Sequence, residues 1–237
     1  MINICTAASE NHSKSLQQFI SSVYTNVKCS FNLFIYNLGL SESVLSKIKT
    51  QYNYNNVFLK DFDYQKYPDY YDINVNAGEY AWKSAIIKEV SEHINNGILL
   101  WCDAGNVITN SFDFNNVITF INTNKIYSPS SSGNVKRWTH PAVLQKFNIN
   151  SNEILNFSNR NGAILGFNLN LKEVKDFITN FNNYSMQKDY IAPQGSNREN
   201  HRQDQALFTI LYFHFIKQYN TQITDSYMGI NIHKDCD

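Results

Sequence analysis

Charge is what this sequence has least of. Only 17% of its 237 residues are Asp, Glu, Lys or Arg, and 20 basic side chains face 20 acidic ones, for a formal net charge of zero. A protein that coats a polyanion needs a basic face, so the balance excludes a general nucleic-acid binder while leaving room for a local phosphate pocket. Glycine (9) and proline (4) are also scarce. No stretch is rich enough in them, or in charge, to read as a linker, and no internal repeat is present, so a single domain over residues 1–237 is expected. The four cysteines, Cys5, Cys29, Cys102 and Cys236, show no CxxC spacing and read as reduced structural thiols. No apolar run reaches the roughly 18–20 residues a membrane span needs. Residues Met1–Lys14 lack a basic stretch followed by an apolar one, so a cytoplasmic protein is expected. The sequons at Asn11, Asn156 and Asn183 then read as chance matches in an Asn-rich chain. Signature motifs are missing too. Without GxxxxGK[ST], or GxGxxG after the first strand, P-loop and dinucleotide-binding readings fall. Without HExxH or GxSxG the simplest zinc-protease and hydrolase readings fall as well.

What is present is apolar and aromatic bulk: 43% hydrophobic residues, with 15 Tyr and 16 Phe, enough for a packed core without disulfides. Asn, Ser, Tyr and Gln carry much of the polarity. Such a surface can hydrogen-bond hydroxyl-rich ligands, although an AT-rich coding sequence explains it more simply.

The hydrophobic pattern alternates between two periods. Ile2–Cys5, Phe31–Tyr36 and Val57–Leu59 read as strands, with helical stripes through Leu16, Phe19, Ile20 and Val23 and through Val44, Leu45 and Ile48, the latter opened by Ser41. Trp82, Ile86, Val90 and Ile94 recur four apart in a helix predicted from Glu79 to Ile94. Ile98–Cys102 is a continuous apolar run, as in a central strand buried on both faces. Gly162–Phe167 reads as another strand, residues 171–181 as a helix, and Pro129–Gly133 and Pro193–Glu199 as loops. Asn200, with Gln203 three residues on, is the expected cap of the last helix. The fold class is therefore α/β, a mostly parallel, Rossmann-like central sheet flanked by helices.

In such sheets ligands sit at the carboxyl ends of strands. Those ends offer Thr6-Ala7-Ala8, Asp61 and Asp103-Ala104-Gly105. A carboxylate emerging from so apolar a strand as Ile98–Cys102 must face solvent or find a partner; Asp-Ala-Gly is also an ordinary turn. The six histidines are dispersed, and His93 and His214 lie within helical stripes and read as packing.

Taken together, Thr6-Ala7-Ala8, Tyr80-Ala81-Trp82-Lys83, Leu99–Gly105, Tyr127-Ser128-Pro129, Trp138-Thr139-His140-Pro141, Gly162–Phe167 and Ser196–Ala206 resemble a family of small GT-A glycosyltransferases with members in large DNA viruses, bacteria and nematodes. The most specific parts are the strand ending in Asp103 and the segment Asn200–Ala206. The resemblance implies a hexosyl- or deoxyhexosyltransferase of glycan biosynthesis. It would move a sugar from a nucleotide-diphospho-sugar, UDP-sugars favoured, to a hydroxyl of a glycan, glycoprotein or other acceptor by direct displacement. The donor half would be about residues 1–110 and the acceptor half about 111–237.

The implied donor residues are Thr6, Ala7, Ala8, Asp61, Lys83, Asp103, Ala104 and Gly105, with Lys83 against the diphosphate or, alternatively, a solvated surface lysine. Asp204 is the implied catalytic base, though an aspartate in a helix's first turn is also favoured by the helix dipole. Trp138, His140, His201 and Arg202 would meet acceptor or phosphate, with a core position the alternative for Trp138. Asp103 stands first in a DXD-like motif and would hold Mn²⁺ or Mg²⁺, with His233 of the C-terminal stretch as second ligand or an exposed tail residue. Gly105 replaces the second aspartate, which leaves the cation in doubt and motivates a rival reading as a non-catalytic carbohydrate- or nucleotide-binding relative. A sugar-nucleotidyltransferase ranks lower, because the expected Gly-rich, Arg-containing loop does not follow the first strand. No nucleic acid partner and no membrane span are expected.

Overall fold

The computed structural model describes residues 1–236. In chain order the strands are β1 (Ile2–Ala8), β2 (Phe31–Asn37), β3 (Val57–Asp61), β4 (Ile98–Cys102), β5 (Val107–Ile108), β6 (Ile126–Tyr127), β7 (Ser130–Asn134), β8 (Ser158–Arg160), β9 (Ile164–Asn168) and β10 (Ile230–Asn231). The main helices are α1 (Ser13–Asn26), α2 (Glu42–Gln51), α3 (Trp82–Ile94) and α4 (Phe114–Asn124), then the short α5 (Val135–Trp138), α6 (Pro141–Lys146) and α7 (Asn152–Leu155), then α8 (Lys172–Ser185), the short α9 (Lys188–Ile191) and α10 (Gln203–Tyr219).

Six strands form one sheet in the order β3-β2-β1-β4-β9-β6. The first four run parallel, and β9 runs antiparallel to both β4 and β6. The mostly parallel sheet expected from the strand–helix alternation is therefore present. The period of two decides which residues meet which helices. Leu99 and Trp101 of β4 pack with Leu165 and Phe167 under α3, α8 and α10. Ile98, Leu100 and Cys102 face the opposite core with Ile4, Leu33 and Ile35 under α1, α2 and α4. All four cysteines are free thiols.

Local signals account for several helix ends. The Ser41 hydroxyl accepts from Val44 N at the start of α2, and Asp113 accepts from Asn115 and Asn116 at the start of α4. Asn95 and Asn220 end α3 and α10 in the left-handed conformation that Asn tolerates. Three expectations are overturned. Pro129–Gly133 is not a free loop: from Ser130 on it lies in β7, which pairs with β8 through Ser130↔Arg160 and Asn134↔Ser158. Asn200 does not cap α10. Its side chain accepts from Asn197 N at 2.8 Å and donates to Gly195 O at 3.1 Å, closing the preceding loop, and α10 starts at Gln203 without a side-chain cap. Finally, α3 begins at Trp82 rather than Glu79, because Asn76, Ala77, Gly78, Glu79 and Tyr80 all have positive φ, between 47° and 62°.

Candidate active site

The order of strands reverses between β1 and β4, and the carboxyl ends of these two strands open a crevice. Its floor is an ion-paired triad. Lys83, in the first turn of α3, is buried, with Nζ 3.2 Å from Asp103 Oδ1 after β4 and 3.0 Å from Asp204 Oδ2 in the first turn of α10. The ammonium also donates to Gly162 O at 3.0 Å and lies 5.7 Å from the centre of the Trp101 ring. Trp101 Nε1 donates to Asp103 Oδ1 at 2.7 Å. A buried charge persists only when its partners are in place, and here three elements distant in sequence supply them. Burial pulls the Lys83 pKa down, but the two carboxylates outweigh it and the ammonium is held protonated. At Asp204 burial prevails over the neighbouring ammonium and the carboxyl pKa is pushed up. Gly162 keeps the floor open: a Cβ there would stand 3.3 Å from Asp204 Oδ2.

Above the triad is a cavity of about 270 Å³, bordered by Ser131, Trp138, Asn161, Arg202 and Gln205 among others. A wider cleft of about 720 Å³ lies against Ala7, Ala8, His12, Gly39 and Asn74. Between them a recess meets Asp103, Ala104, Gly105 and His233. Tyr80 and Arg198 border all three spaces. Tyr80 gets there through the left-handed turn 76–80, which is costly for non-glycine residues. The turn is held by Trp82 Nε1 donating to Ala77 O at 3.0 Å and Gln203 Nε2 donating to Glu79 Oε2 at 3.1 Å. Gly78 is obligatory at its centre, since with φ of 62° an added Cβ would lie 2.4 Å from Tyr71 O.

Of the residues singled out from sequence, Lys83, Asp103, Asp204, Trp138, Arg202 and His233 border one cavity. Ala7 and Ala8 border the adjoining cleft, and Ala104 and Gly105 the recess. Four others belong elsewhere. Thr6 is buried within β1, short of the strand end at which Ala7 and Ala8 border the cleft, and among the described residues its hydroxyl has no hydrogen-bond partner. Asp61 is exposed at the end of β3, where it accepts from Asn37 Nδ2 at 2.8 Å. His140 caps α6, accepting from Ala142 N. His201 is buried: its Nδ1 accepts from His140 N and its Nε2 lies 3.3 Å from Tyr190 O. Burial lowers the His201 pKa to about 4 and keeps the ring neutral. These two histidines fasten a loop and do not line the cavity. Lys83 is no surface lysine, and the Trp138 ring carries two guanidinium groups, those of Arg137 and Arg202 at 4.3 and 4.1 Å. Arg198, Tyr80 and Gln203 were missed as site residues. Arg198, in a polar loop beside the Asn200–Ala206 segment, was legible as part of that motif; the left-handed turn that aims Tyr80 leaves no mark in hydrophobic periodicity.

The expected cation site can be tested against the donor set. Asp103 and His233 do border one recess. Among the described residues, however, no group of three or more His, Cys, Asp or Glu side chains converges to hold a metal ion. Asp103 Oδ1 is already engaged by the Trp101 indole and Lys83. The space a side chain at position 105 would take is filled by Asp235: a Cβ on Gly105 would lie 2.3 Å from Asp235 Oδ1, and that oxygen is 3.5 Å from His12 Nδ1. The residues present, as arranged, do not fit a divalent cation held in the DXD manner.

Comparisons with known proteins bear on the fold. A family model described as a protein of unknown function (DUF1647) matches residues 2–88. No curated protein sequence matches. Among solved structures, the galactosyltransferase LgtC in complex with donor and acceptor sugar analogues is 14% identical with a TM-score of 0.61, covering 98% of this chain and 86% of that one. The fold is GT-A. The bifunctional glycosyltransferase WbbM, 11% identical with a TM-score of 0.58, covers 94% of this chain and 38% of its own. Core-mannan synthase A of Aspergillus fumigatus in an Mn/GDP form is 8% identical with a TM-score of 0.52, covering 89% and 68%. No helix among the described residues is long and apolar enough to cross a membrane.

Proposed function

We propose that this protein is a glycosyltransferase that moves a sugar from a nucleotide-diphospho-sugar to an acceptor hydroxyl. The observation that carries the reading is the buried Lys83–Asp103–Asp204 triad beneath a cavity that adjoins a nucleoside-sized cleft at the reversal of strand order. The solved proteins of like fold are glycosyltransferases. Ala7 and Ala8, small and at the end of β1, let a flat base approach the backbone; the diphosphate lies beside Arg198, and the sugar over the triad.

In the transfer, the acceptor oxygen forms a bond to the anomeric carbon as the bond to the diphosphate oxygen breaks, and the nucleoside diphosphate leaves with the bonding pair. The acceptor proton goes to Asp204, whose carboxylate is made more basic by burial. Lys83 holds Asp103 and Asp204 in place and offsets their charge against the incoming donor. Arg198 answers the charge of the departing diphosphate, the task a cation would have in a DXD site.

Donor turnover with UDP- and GDP-sugars tests this directly. Asp204→Asn is expected to lower kcat by about 10²- to 10⁴-fold with little change in donor affinity, the range for a lost general base. Asp103→Ala should abolish turnover. Sugar transfer undiminished in either variant, with folding verified by circular dichroism, rejects these assignments.

A further inference from the structure

We propose that the acceptor end of the cavity is a receptor for a negatively charged saccharide, a sugar bearing a carboxylate or phosphate, and that Arg202 is the group that reads it. The proposal rests on the glycosyltransferase reading for the word acceptor, but its observations are independent of it.

The chain has only four arginines, Arg137, Arg160, Arg198 and Arg202. Arg160 is buried and spends itself on the carbonyls of Ser128 and Thr224. Of the other three, Arg198 and Arg202 border the cavity and Arg137 packs on Trp138, which also borders it; among the described residues none of them meets a carboxylate. That is not for want of acids: Lys60, Lys66, Lys83, Lys88, Lys125, Lys146, Lys172 and Lys217 each have one within reach.

Arg202 is the best prepared of the three. It is half-buried, its backbone N donates to Trp138 O at 3.0 Å, and its guanidinium stacks 4.1 Å from the Trp138 ring centre. Among the described residues its side chain has no hydrogen-bond partner, so its N–H edge is available in the fork geometry that matches a carboxylate or phosphate. Arg137 packs on the same ring at 4.3 Å and is tied down by donating to Glu199 O at 2.7 Å. Stacking has already restricted both side chains, so less rotamer entropy is lost when an anion binds. Two like charges gathered on one indole repel each other until an anion arrives.

Position separates this anion from the donor's own. Arg198 borders the cavity, the nucleoside-sized cleft and the recess between them, whereas Trp138 and Arg202 border the cavity alone. The diphosphate therefore falls to Arg198. The floor carries two carboxylates against one ammonium, so an acidic sugar is repelled from it with its charged group leading. Held by that group at Arg202, the sugar presents a neutral hydroxyl toward Asp204, two residues along the chain. One contact thus selects the acceptor class and orients it.

The intact chain is titrated with glucuronate, glucose 6-phosphate and glucose by ligand-observed NMR, with and without UDP, and with UDP alone by calorimetry. The acidic sugars are expected to bind about tenfold or more tighter than glucose at low salt, the gain of one charge-assisted pair. Arg202→Gln should erase that preference, and Arg137→Gln should reduce it; the second variant serves if the first fails to fold. Equal binding of acidic and neutral sugars overturns the proposal, as does a preference that survives Arg202→Gln. So does a loss of UDP affinity in Arg202→Gln with none in Arg198→Gln, which would assign Arg202 to the donor. A chain that prefers acidic sugars but binds neither UDP nor GDP would sink the glycosyltransferase reading and leave the receptor standing. UDP binding without the preference does the reverse.

Discussion

At the scale of single residues, burial sorts the candidates by what they can do. Asp204 and His201 are three positions apart and both nearly inaccessible, yet one meets an ammonium and the other a backbone N–H and a carbonyl. His201 stays neutral, with its pKa lowered to about 4 by burial from an ordinary 6.5. Between those values the unfolded chain binds the proton and the folded chain does not, so stability is full above pH 6.5 and is lost as pH falls toward 4. Unfolding by urea at pH 7.5 and pH 5 should show the wild type losing about 2 kcal/mol more than His201→Gln. Equal pH dependence in the two proteins would mean that His201 protonates freely in the fold. A histidine in a polar run reads as a ligand because sequence does not reveal depth; Asp103, after a wholly apolar central strand, is legible because a carboxylate can leave the core only at the strand's carboxyl end.

At the scale of elements, the left-handed turn 76–80 carries the most local strain beside the cavity. Four of its five residues have a Cβ, each costing about 1 kcal/mol or more in this region, and they are kept there by the hydrogen bonds from Trp82 and Gln203. Two substitutions in this turn should therefore have opposite signs. Ala77→Gly is expected to stabilise by about 1 kcal/mol, by relieving the positive φ. Gly78→Ala should destabilise by about 2 kcal/mol or more, because its new methyl meets the Tyr71 carbonyl. Thermal unfolding with paired UDP titrations measures both, and the same sign for the two would contradict the strained geometry. The helices and strands around this turn were legible from their periods of 3.6 and 2. The turn itself, the pairing of β7 with β8 and the failed Asn200 cap were not, because each is settled by contacts between segments far apart in sequence.

At the scale of the whole molecule, a chain of zero net charge brings Arg198 and Arg202, neither facing a carboxylate among the described residues, to one cavity above an ion-paired triad. If the donor's charge is met there, UDP at a hundred times its Kd should raise stability by about 2.7 kcal/mol, and added Mn²⁺ should change UDP affinity by less than about twofold. A manganese requirement measured by calorimetry would show instead that the C-terminal segment rearranges to complete a metal site with Asp103. Residue order is enough for the α/β class, the apolar central strand and the carboxylate at its tip, since burial on two faces and periodic patterning are written in it. It takes the folded arrangement to bury Lys83 between two carboxylates, to set Thr6, Asp61, His140 and His201 outside the cavity, and to bring Asp235 into the place of a side chain at position 105. The reason is that the energy of a charge depends on what surrounds it in space, and these partners lie 20 to 130 positions apart along the chain.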